Sequence, residues 1–569
     1  VFRNEGGNRN ASVRVRLAGK VSNRAGVGAK VEVRAGSLQQ KLETYSAPPA
    51  PAPSDVTFGL GPRAFADAVR VLWPSGVVQA ETEVPRAAPD SPNADAAQTV
   101  TLPVTELDRK PSSCPYLYAW NGERFEFVTD FMGGGELGYW AAPGVRAAPD
   151  PDEYVRIRGD QLRERDGRYE LRVTNELEEA LFLDRLQLVS VAHPAGVEVY
   201  PNEGLGNPTH AESRLYATRD ARPPRAARDE HGHDVLPQLT KLDRRYPDDF
   251  RLKPVRGYAE PHALVLDLGE TRNDERRNLN ARQSERRNVN GRQKLSSSSF
   301  IVPRSSLILL LTGWTDYAFS SDNVAAAQRG MSLSAPELQV RDARGRWRTV
   351  VRNIGIPVGR PQTVAVDLTG KFLSASREVR ILSNMRIYWD QALVGTSDAG
   401  AELRVERLEA ASADLSWRGF SAVSTPDGRE PFGYDFERVS YSSPWKVLPG
   451  LYTREGDVRA LLTAVDDMFV VSRPGDAVAL SFDARALAPL PEGWTRTFLL
   501  YADGFSKEMD INSASPHELA PLPFHGMKNY PYTAPESYPS TPAHRAYVET
   551  YNTRAVTSPM TRLLWDGNQ

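Results

Sequence analysis

Two histidines and a carboxylate lie within four consecutive residues, at His231, His233 and Asp234. Imidazole nitrogens and carboxylate oxygens are ligands of divalent metals such as zinc. These three residues are therefore the candidate metal site of the sequence. A complete site also needs a third or fourth ligand at a fixed distance, and the neighbouring residues do not supply one. The alternative, which we favour, is a pair of solvated loop histidines.

Clusters of carboxylates occur elsewhere in the chain and suit calcium, which prefers oxygen ligands. None has the spaced Asp-x-Asp-x-Asp-Gly pattern of a dedicated calcium loop, and turns are the alternative interpretation. Calcium is thus a conceivable ligand without a specific motif, and the sequence indicates no other cofactor. The clusters lie at 150–153, 248–249, 466–467, 503–504 and 510–513.

The chain has 10 tryptophans and 21 tyrosines, whose flat faces could stack against sugar rings. We single out Trp120, Trp140, Trp389 and Trp417 as candidates for such a ligand platform. Large aromatic residues in β-sandwiches more often belong to the core, because burying them supplies packing energy. The exposure of these four indoles decides between the two interpretations.

A ten-residue unit occurs twice in tandem, at 275–284 and 285–294. Each copy carries a pair of arginines, which are Arg276 and Arg277 in the first and Arg286 and Arg287 in the second. Clustered arginines can bind a polyanion such as RNA or an acidic glycan. The repeat has no interleaved aromatic residues, and exposed loops tolerate short insertions. We therefore favour a surface loop over a polyanion-binding arm.

No local motif identifies a catalytic centre. The sequence has neither a Gly-x-Ser-x-Gly elbow nor a Walker-type phosphate loop. Enzyme activity stays open, because the paired carboxylates of a glycosidase come from separate strands and leave no local motif. The net charge of −2 provides no field that would attract nucleic acid. The longest aliphatic run, 307–311, is too short for a transmembrane segment.

Apolar and polar residues alternate with the period of a β-strand along most of the chain. At the N-terminus Val13, Val15 and Leu17 share one face, and Arg14 and Arg16 share the other. Many short patterns of this kind, with few helical segments between them, are typical of antiparallel sandwiches and jelly rolls. We predict a multidomain, mainly β protein with long loops and few short helices, at 323–329 and after Thr541.

Proline-rich breaks and changes in composition divide the chain into segments. The single cysteine, Cys114, cannot form an intrachain disulfide, so packing must hold each domain together. The predicted segments are a β domain at 1–85, a linker at 86–110, a β-rich domain with long loops at 111–270, an arginine-rich insertion at 271–299, a β-sandwich at 300–400, a sandwich-type domain at 401–510 and a Pro/Tyr-rich tail with a short helix at 511–569.

Four motifs near the N-terminus carry a family resemblance, at 8–19, 22–31, 58–61 and 69–76. In this order they resemble the ASPIC/UnbV domain, the C-terminal module of proteins similar to cartilage acidic protein. In that family the domain usually follows an FG-GAP propeller of the integrin type. The resemblance implies that such a propeller precedes Val1, and it transfers no calcium ligand and no catalytic residue. A weaker resemblance, to galactose-binding-like sandwiches, rests on the strand order at 300–395 and on Trp314, Trp347 and Trp389.

The resemblance and the β architecture lead us to expect a non-enzymatic binding or assembly protein of a bacterial cell surface. Its partner would be a glycan or a protein, with no specific nucleic acid. The expected location is extracellular, at the cell surface or periplasmic, although no signal peptide is visible in the sequence. The alternatives are a carbohydrate-active enzyme with accessory sandwiches and a structural subunit of a larger complex.

Overall fold

A computed structural model describes residues 10–20, 22–46, 55–74, 78–82, 84–86, 99–106, 115–207, 214–269, 307–397, 401–425, 427–441, 445 and 447–557. The chain divides into two compact units. The first comprises Val1–Pro111, Ser440–Gly450 and Ala555–Gln569, and the second comprises Ser112–Val439 and Leu451–Arg554. Strands account for 46% of the structure and helices for 7%, which confirms the predicted mainly β fold.

Two sheets form the first unit. Its strands are β1 (Ser12–Ala18), β2 (Lys30–Ala35), β3 (Leu38–Glu43), β4 (Asp55–Gly59), β5 (Ala68–Leu72), β6 (Val78–Glu81) and β7 (Thr99–Thr105). One sheet has the order β4-β1-β7 and the other the order β3-β2-β5-β6. The alternation predicted for β1 is confirmed, since Val13, Val15 and Leu17 are buried while Arg14 and Arg16 are exposed. These valines and the leucine share one core with residues of the second sheet, including Val31, Val71 and Trp73.

Strand β7 lies inside the segment 86–110 that the composition suggests as a linker. It pairs in parallel with β1 along its whole length, from Ser12 opposite Thr99 to Ala18 opposite Thr105. Leu102 and Val104 of β7 enter the core of the unit. This part of the segment is therefore an integral strand of the first unit.

The remaining strands belong to the second unit or begin at its borders. They are β8 (Tyr116–Trp120), β9 (Phe125–Asp130), β10 (Trp140–Ala142), β11 (Val145–Arg146), β12 (Asp152–Ile157), β13 (Arg168–Thr174), β14 (Glu179–Pro194), β15 (Glu198–Pro201), β16 (Leu215–Thr218), β17 (Ala226–Arg228), β18 (Tyr258–Asp267), β19 (Leu307–Thr315), β20 (Glu337–Arg341), β21 (Trp347–Val351), β22 (Gln362–Asp367), β23 (Glu378–Met385), β24 (Ile387–Thr396), β25 (Arg404–Glu409), β26 (Ser412–Trp417), β27 (Phe420–Val423), β28 (Tyr434–Ser440), β29 (Gly450–Tyr452), β30 (Gly456–Asp457), β31 (Val470–Ser472), β32 (Asp476–Asp483), β33 (Trp494–Glu508) and β34 (Arg554–Val556).

Two large sheets of the second unit draw on both ends of its sequence. An eight-stranded sheet has the order β27-β28-β9-β8-β13-β32-β26-β30. A five-stranded sheet has the order β12-β33-β14-β25, with β31 also paired to β14. The sheets contact each other through Tyr169 and Phe498, whose ring centroids are 4.7 Å apart. The segments 111–270 and 401–510, predicted as separate domains, thus contribute strands to the same sheets.

A second sandwich is built from the sequence between these two segments. Its sheets have the orders β17-β18-β23-β20-β21 and β22-β19-β24. Both contribute to one core, which includes Leu266, Leu311, Val364 and Ile381. The predicted sandwich at 300–400 therefore also includes β17 and β18 from the preceding segment. The β15–β16 hairpin packs on the five-stranded sheet of β14 through one side and on the β19 sheet through the other.

Two α-helices occur among the described residues, α1 (Ser320–Ala327) and α2 (Pro542–Tyr551). The second is the helix predicted after Thr541, whose hydroxyl accepts a hydrogen bond from the His544 N–H at 3.3 Å. The first begins three residues before the predicted 323–329, and Asp322 accepts a hydrogen bond from the Phe319 N–H. Neither helix, nor any other in the described part of the chain, has the length and apolarity to cross a membrane.

Candidate functional site

Three aspartates and a histidine from distant parts of the sequence meet in the second unit. We call Asp184, Asp467, Asp503 and His525 the His525 cluster. Asp184 lies on β14 and Asp503 on β33, while Asp467 precedes β31 and His525 follows β33. The long β14–β33 pair therefore supplies the frame, and two loop segments complete the cluster.

A β-bulge gives Asp184 its position. The β14–β33 pairing passes from Leu183 opposite Gly504 to Arg185 opposite Asp503, so that Asp184 has no partner in the register. A bulge of this kind turns the side chain of its extra residue in a new direction. Gly504 lies so close to β14 that a Cβ atom on it would overlap the carbonyl oxygen of Phe182. Glycine at 504 is thus needed for the bulge to form.

The carboxylate of Asp184 is fully buried, with 0% of its side chain exposed. Its Oδ2 accepts hydrogen bonds from the N–H groups of Asp466 at 3.1 Å and Asp467 at 3.0 Å. Its Oδ1 accepts no hydrogen bond from the described residues. Burial raises the pKa of Asp184 to about 7, and the negative charges of Asp503 and Asp466 act in the same direction.

His525 lies between the carboxylates. Its Nδ1 is 2.7 Å from Oδ1 of Asp467 and 3.6 Å from Oδ2 of Asp184, and its Nε2 is 2.8 Å from Oδ1 of Asp503. Burial acts to lower the pKa of His525, but the hydrogen bonds to Asp467 and Asp503 outweigh it and raise the pKa to about 10. This arrangement can hold a proton between the carboxylates, or it can hold a cation in place of that proton.

A second group of metal-ligating side chains contains one of the histidines singled out in the sequence. In this His233 group, Nδ1 of His233 lies 2.8 Å from Asp229 and 3.4 Å from Asp249. The hydrogen bond that His233 donates to Asp229 is the main cause that raises the pKa of His233. Asp249 comes from one of the carboxylate pairs in the sequence, whereas Asp229 was not predicted. Both groups place three ligand atoms within 4.8 Å of one another.

The other two residues of the predicted metal site point elsewhere. Oδ1 of Asp234 accepts a hydrogen bond from the Leu236 N–H at 3.0 Å, which fixes the start of a turn. Nε2 of His231 lies 3.8 Å from Glu230. The structure therefore does not bring His231 and Asp234 into the group that His233 joins.

The four candidate tryptophans lie on four different strands, β8, β10, β24 and β26. Trp120 is half-buried on β8, where the guanidinium carbon of Arg165 lies 4.5 Å from the centre of its ring. Trp140 is half-buried on β10, and Trp417 is half-buried on β26. Trp389 is buried in the core of the second sandwich, with 6% of its surface exposed.

Trp389 also lines a cavity of about 40 Å³ with Asp229, Asp249 and Phe250. The cavity has room for a few water molecules at most.

The predicted carboxylate cluster at 150–153 faces Glu203 across a smaller cavity of about 10 Å³. Burial raises the pKa of Glu203 to about 7. Its two oxygens accept hydrogen bonds from the Arg156 N–H at 2.8 Å and the Thr363 N–H at 2.7 Å. These oxygens are thus engaged by protein donors that join β12 to β22.

The predicted polyanion-binding arginines lie outside the described residues, and so does the thiol of Cys114. These arginines are Arg276, Arg277, Arg286 and Arg287.

A buried lysine, which no pattern in the sequence indicates, lies near the end of β33. Lys507 is 0% exposed, and its Nζ donates to the carbonyl oxygens of Leu519 and Ala520 at 3.1 Å and to Oη of Tyr530 at 2.7 Å. Burial lowers its pKa to about 7. Lys507 and His525 together attach the proline-rich segment that follows β33 to the second unit.

Comparison with known families identifies a part of the first unit. Residues 19–88 match the family model described as ASPIC and UnbV. These residues form an ASPIC and UnbV domain. The match confirms the resemblance carried by the N-terminal motifs. A comparison of the whole chain with curated proteins finds no match.

The ASPIC and UnbV domain is completed by residues beyond the matched range. Glu106 follows β7, is 1% exposed, and accepts hydrogen bonds from the N–H groups of Lys20 at 2.7 Å and Ser22 at 2.8 Å. Its second oxygen accepts the Ser22 hydroxyl at 2.7 Å. β7 and Glu106 therefore hold the turn at which the match begins.

Proposed function

We propose that the protein is a non-enzymatic, extracytoplasmic protein that works in binding or assembly at a bacterial cell surface. The ASPIC and UnbV domain at 19–88 is the observation that supports this proposal, because it is consistent with a domain of the extracellular type. The sandwich architecture is compatible with such a role, since sandwiches present loops at their ends for recognition while the sheets stay rigid.

The proposed ligand is a glycan or a protein of the cell surface. An FG-GAP propeller of the same product is a proposed neighbour of the ASPIC and UnbV domain. Fold alone does not determine a ligand, so this part of the proposal needs a direct binding measurement.

The first experiment tests location and the role of the ASPIC and UnbV domain together. The full chain is expressed in its source cells, and its digestion by protease is measured before and after lysis. We expect digestion in intact cells or after the outer envelope alone is opened. Protein that is protected until the cytoplasm is opened would contradict the proposal.

A matched pair of variants makes this experiment specific. Val71 is 0% exposed in the core, whereas the next residue, Leu72, is 37% exposed. Val71→Asp buries a charge and should unfold the domain, and Leu72→Asp should not. We expect Val71→Asp to lose retention at the surface and Leu72→Asp to keep it.

A second experiment addresses the ligand. The purified full chain is applied to an array of surface glycans and is also cross-linked to its neighbours in intact cells. Retention on a glycan or a reproducible cross-linked protein is the expected result. Turnover of a glycan that one carboxylate substitution abolishes would instead establish the enzyme alternative.

A further inference from the structure

The His525 cluster has more negative charge than its histidine can neutralise. One imidazole faces the carboxylates of Asp184, Asp467 and Asp503, and Asp184 is fully buried. Buried carboxylates are normally paired with cations or bound to metals, because an isolated charge is costly away from water. No lysine or arginine among the described residues forms an ion pair with these three aspartates.

We propose that Asp184, Asp467 and Nδ1 of His525 bind one divalent ion of the zinc class, with Asp503 as the outer partner of the histidine. The inference concerns a site in the second unit and does not depend on the proposed function of the protein. Carboxylate oxygens and imidazole nitrogens are both zinc ligands, and three protein ligands leave a fourth position for water.

Two of the distances within the cluster can be compared with those that one ion imposes, and all three ligand atoms lie within 4.8 Å of one another. Ligand atoms around a tetrahedral zinc ion, with bonds of about 2.0–2.1 Å, lie about 3.4 Å apart. Nδ1 of His525 is 3.6 Å from Oδ2 of Asp184, which is near this spacing. Nδ1 is 2.7 Å from Oδ1 of Asp467, so that this pair needs to separate by less than 1 Å.

The second nitrogen of His525 has the partner that a metal-bound histidine requires. A ligating imidazole usually donates its other N–H to a carboxylate, which fixes the tautomer and the orientation of the ring. Nε2 of His525 lies 2.8 Å from Oδ1 of Asp503, and Asp503 is held in β33 opposite Arg185. The orienting carboxylate is therefore part of the rigid sheet.

The buried oxygen of Asp184 is an independent indication of a ligand. Oδ2 is fixed by two backbone N–H groups, while Oδ1 accepts no hydrogen bond from the described residues. A buried carboxylate oxygen without a donor is costly in free energy, and an ion that Asp184 binds through both of its oxygens would remove this cost. The imidazole favours zinc over calcium, because calcium takes six to eight oxygen ligands.

The ion would join three separate segments. Asp184 belongs to a central strand, Asp467 to the loop before β31, and His525 to the proline-rich segment after β33. Tyr538 of the same segment donates a hydrogen bond to the carbonyl oxygen of Asp467 at 2.5 Å. Binding of the ion should therefore stabilise this segment against the sheet.

The test uses the purified full chain, stripped of metal with a chelator and titrated with Zn²⁺ in a calorimeter. We expect one strong zinc equivalent, a higher Tm with zinc, and visible absorption from bound Co²⁺. Asp184→Asn keeps the shape of the side chain and removes its charge, and should weaken zinc binding about tenfold or more. Asp249→Asn, which alters the exposed His233 group, is the matched control and should leave the strong equivalent unchanged.

A second variant protects the test against misfolding of the first. Asp503→Asn removes only the negative charge of the outer partner of His525 and should weaken binding about 10- to 100-fold, with an unchanged circular dichroism spectrum. The proposal is overturned if the wild-type chain binds no zinc, if it prefers Ca²⁺, or if Asp184→Asn and Asp503→Asn bind zinc as the wild type does. Loss of the strong equivalent in Asp249→Asn alone would overturn it as well.

Discussion

The His525 cluster and the His233 group are built from the same residue types in different surroundings. Each places a histidine nitrogen 2.7–2.8 Å from one aspartate and 3.4–3.6 Å from another. The side chain of His233 is 66% exposed, whereas that of His525 is 26% exposed and faces an aspartate with no exposure. Water can therefore solvate the charges of the His233 group, but the charges of the His525 cluster depend on one another.

This difference shows that burial, and not the identity of the contacting residues, decides how much a histidine–aspartate contact contributes. Exposed ion pairs are screened by water and salt and contribute little to stability. Breaking a buried pair leaves an uncompensated charge away from water, which is costly. His231 and His233, which are close together in the sequence, thus indicate the His233 group. Its contacts should contribute less to stability than those of the His525 cluster.

The largest expected effect comes from removing the buried histidine. In the presence of a chelator, His525→Ala leaves Asp184, Asp467 and Asp503 without a cation and should lower the free energy of unfolding by about 3 kcal/mol. His233→Ala is the matched control and should leave the Tm of the chain unchanged. Equal effects of the two variants in thermal unfolding would contradict the importance of burial.

The next largest effect comes from replacing a glycine in the backbone near each group. Gly504→Ala should destabilise the protein by about 2–3 kcal/mol and weaken zinc binding, because the added Cβ collides with the carbonyl oxygen of Phe182 at the bulge. Gly232, between the two loop histidines, has a φ of +86° and no atom within 4 Å of an added Cβ. Gly232→Ala should therefore cost only the backbone strain, about 1 kcal/mol. Chemical denaturation of both variants measures the difference.

A buried charge outside both groups extends the comparison to pH. The pKa of Lys507 is about 7 in the folded chain and about 10.4 when the chain is unfolded. Between these values the unfolded chain binds more protons, so the free energy of unfolding rises with pH. Relative to Lys507→Met, the wild type should gain about 2 kcal/mol between about pH 7 and pH 9.

The same substitution at exposed Lys528 is the control for the loss of one positive charge. Urea unfolding of the wild type and both variants at the two pH values gives the measurement. A wild-type stability that does not change with pH relative to Lys507→Met would show that the lysine is not buried as described.

The smallest effect concerns the exposed histidine itself. The hydrogen bond that His233 donates to Asp229 raises the pKa of His233 above its usual value, so Asp229→Asn should move this pKa back towards it. Titration of the ring carbon signals by nuclear magnetic resonance measures the change. Asp414→Asn, at an exposed position on β26, provides the control, and an unchanged His233 titration in Asp229→Asn would contradict the assigned contact.

Features of the fold that depend on neighbouring residues were predictable from the sequence. The alternation of Val13, Val15 and Leu17 gave the face of β1, and Thr541 with Pro542 gave the start of α2. The pairing of strands that are distant in the sequence was not predictable. The alternation of apolar and polar residues identifies a strand but does not specify which other strand lies beside it. For this reason β14 and β33 could not be assigned to one sheet.

The candidate site also depends on contacts between residues that are distant in the sequence, which local patterns do not predict. Spacing in the sequence grouped His231, His233 and Asp234, but the bends of that loop send the Asp234 carboxylate to the Leu236 N–H. The His525 cluster joins residues from 184 to 525, and no local pattern links them. Its local signals are the carboxylate clusters at 466–467 and 503–504, whereas Asp184 and His525 belong to no pattern in the sequence.

The pairing of β14 with β33 also has a consequence for the order of folding during synthesis. The ribosome must complete about 300 residues after β14 before β33 emerges, and non-local pairing of this kind is slow. The second sandwich, whose strands lie between them, can fold first as a unit. The exposed edges of β14 would meanwhile need protection, so a chaperone that binds extended apolar strands should associate with nascent chains that end before Trp494.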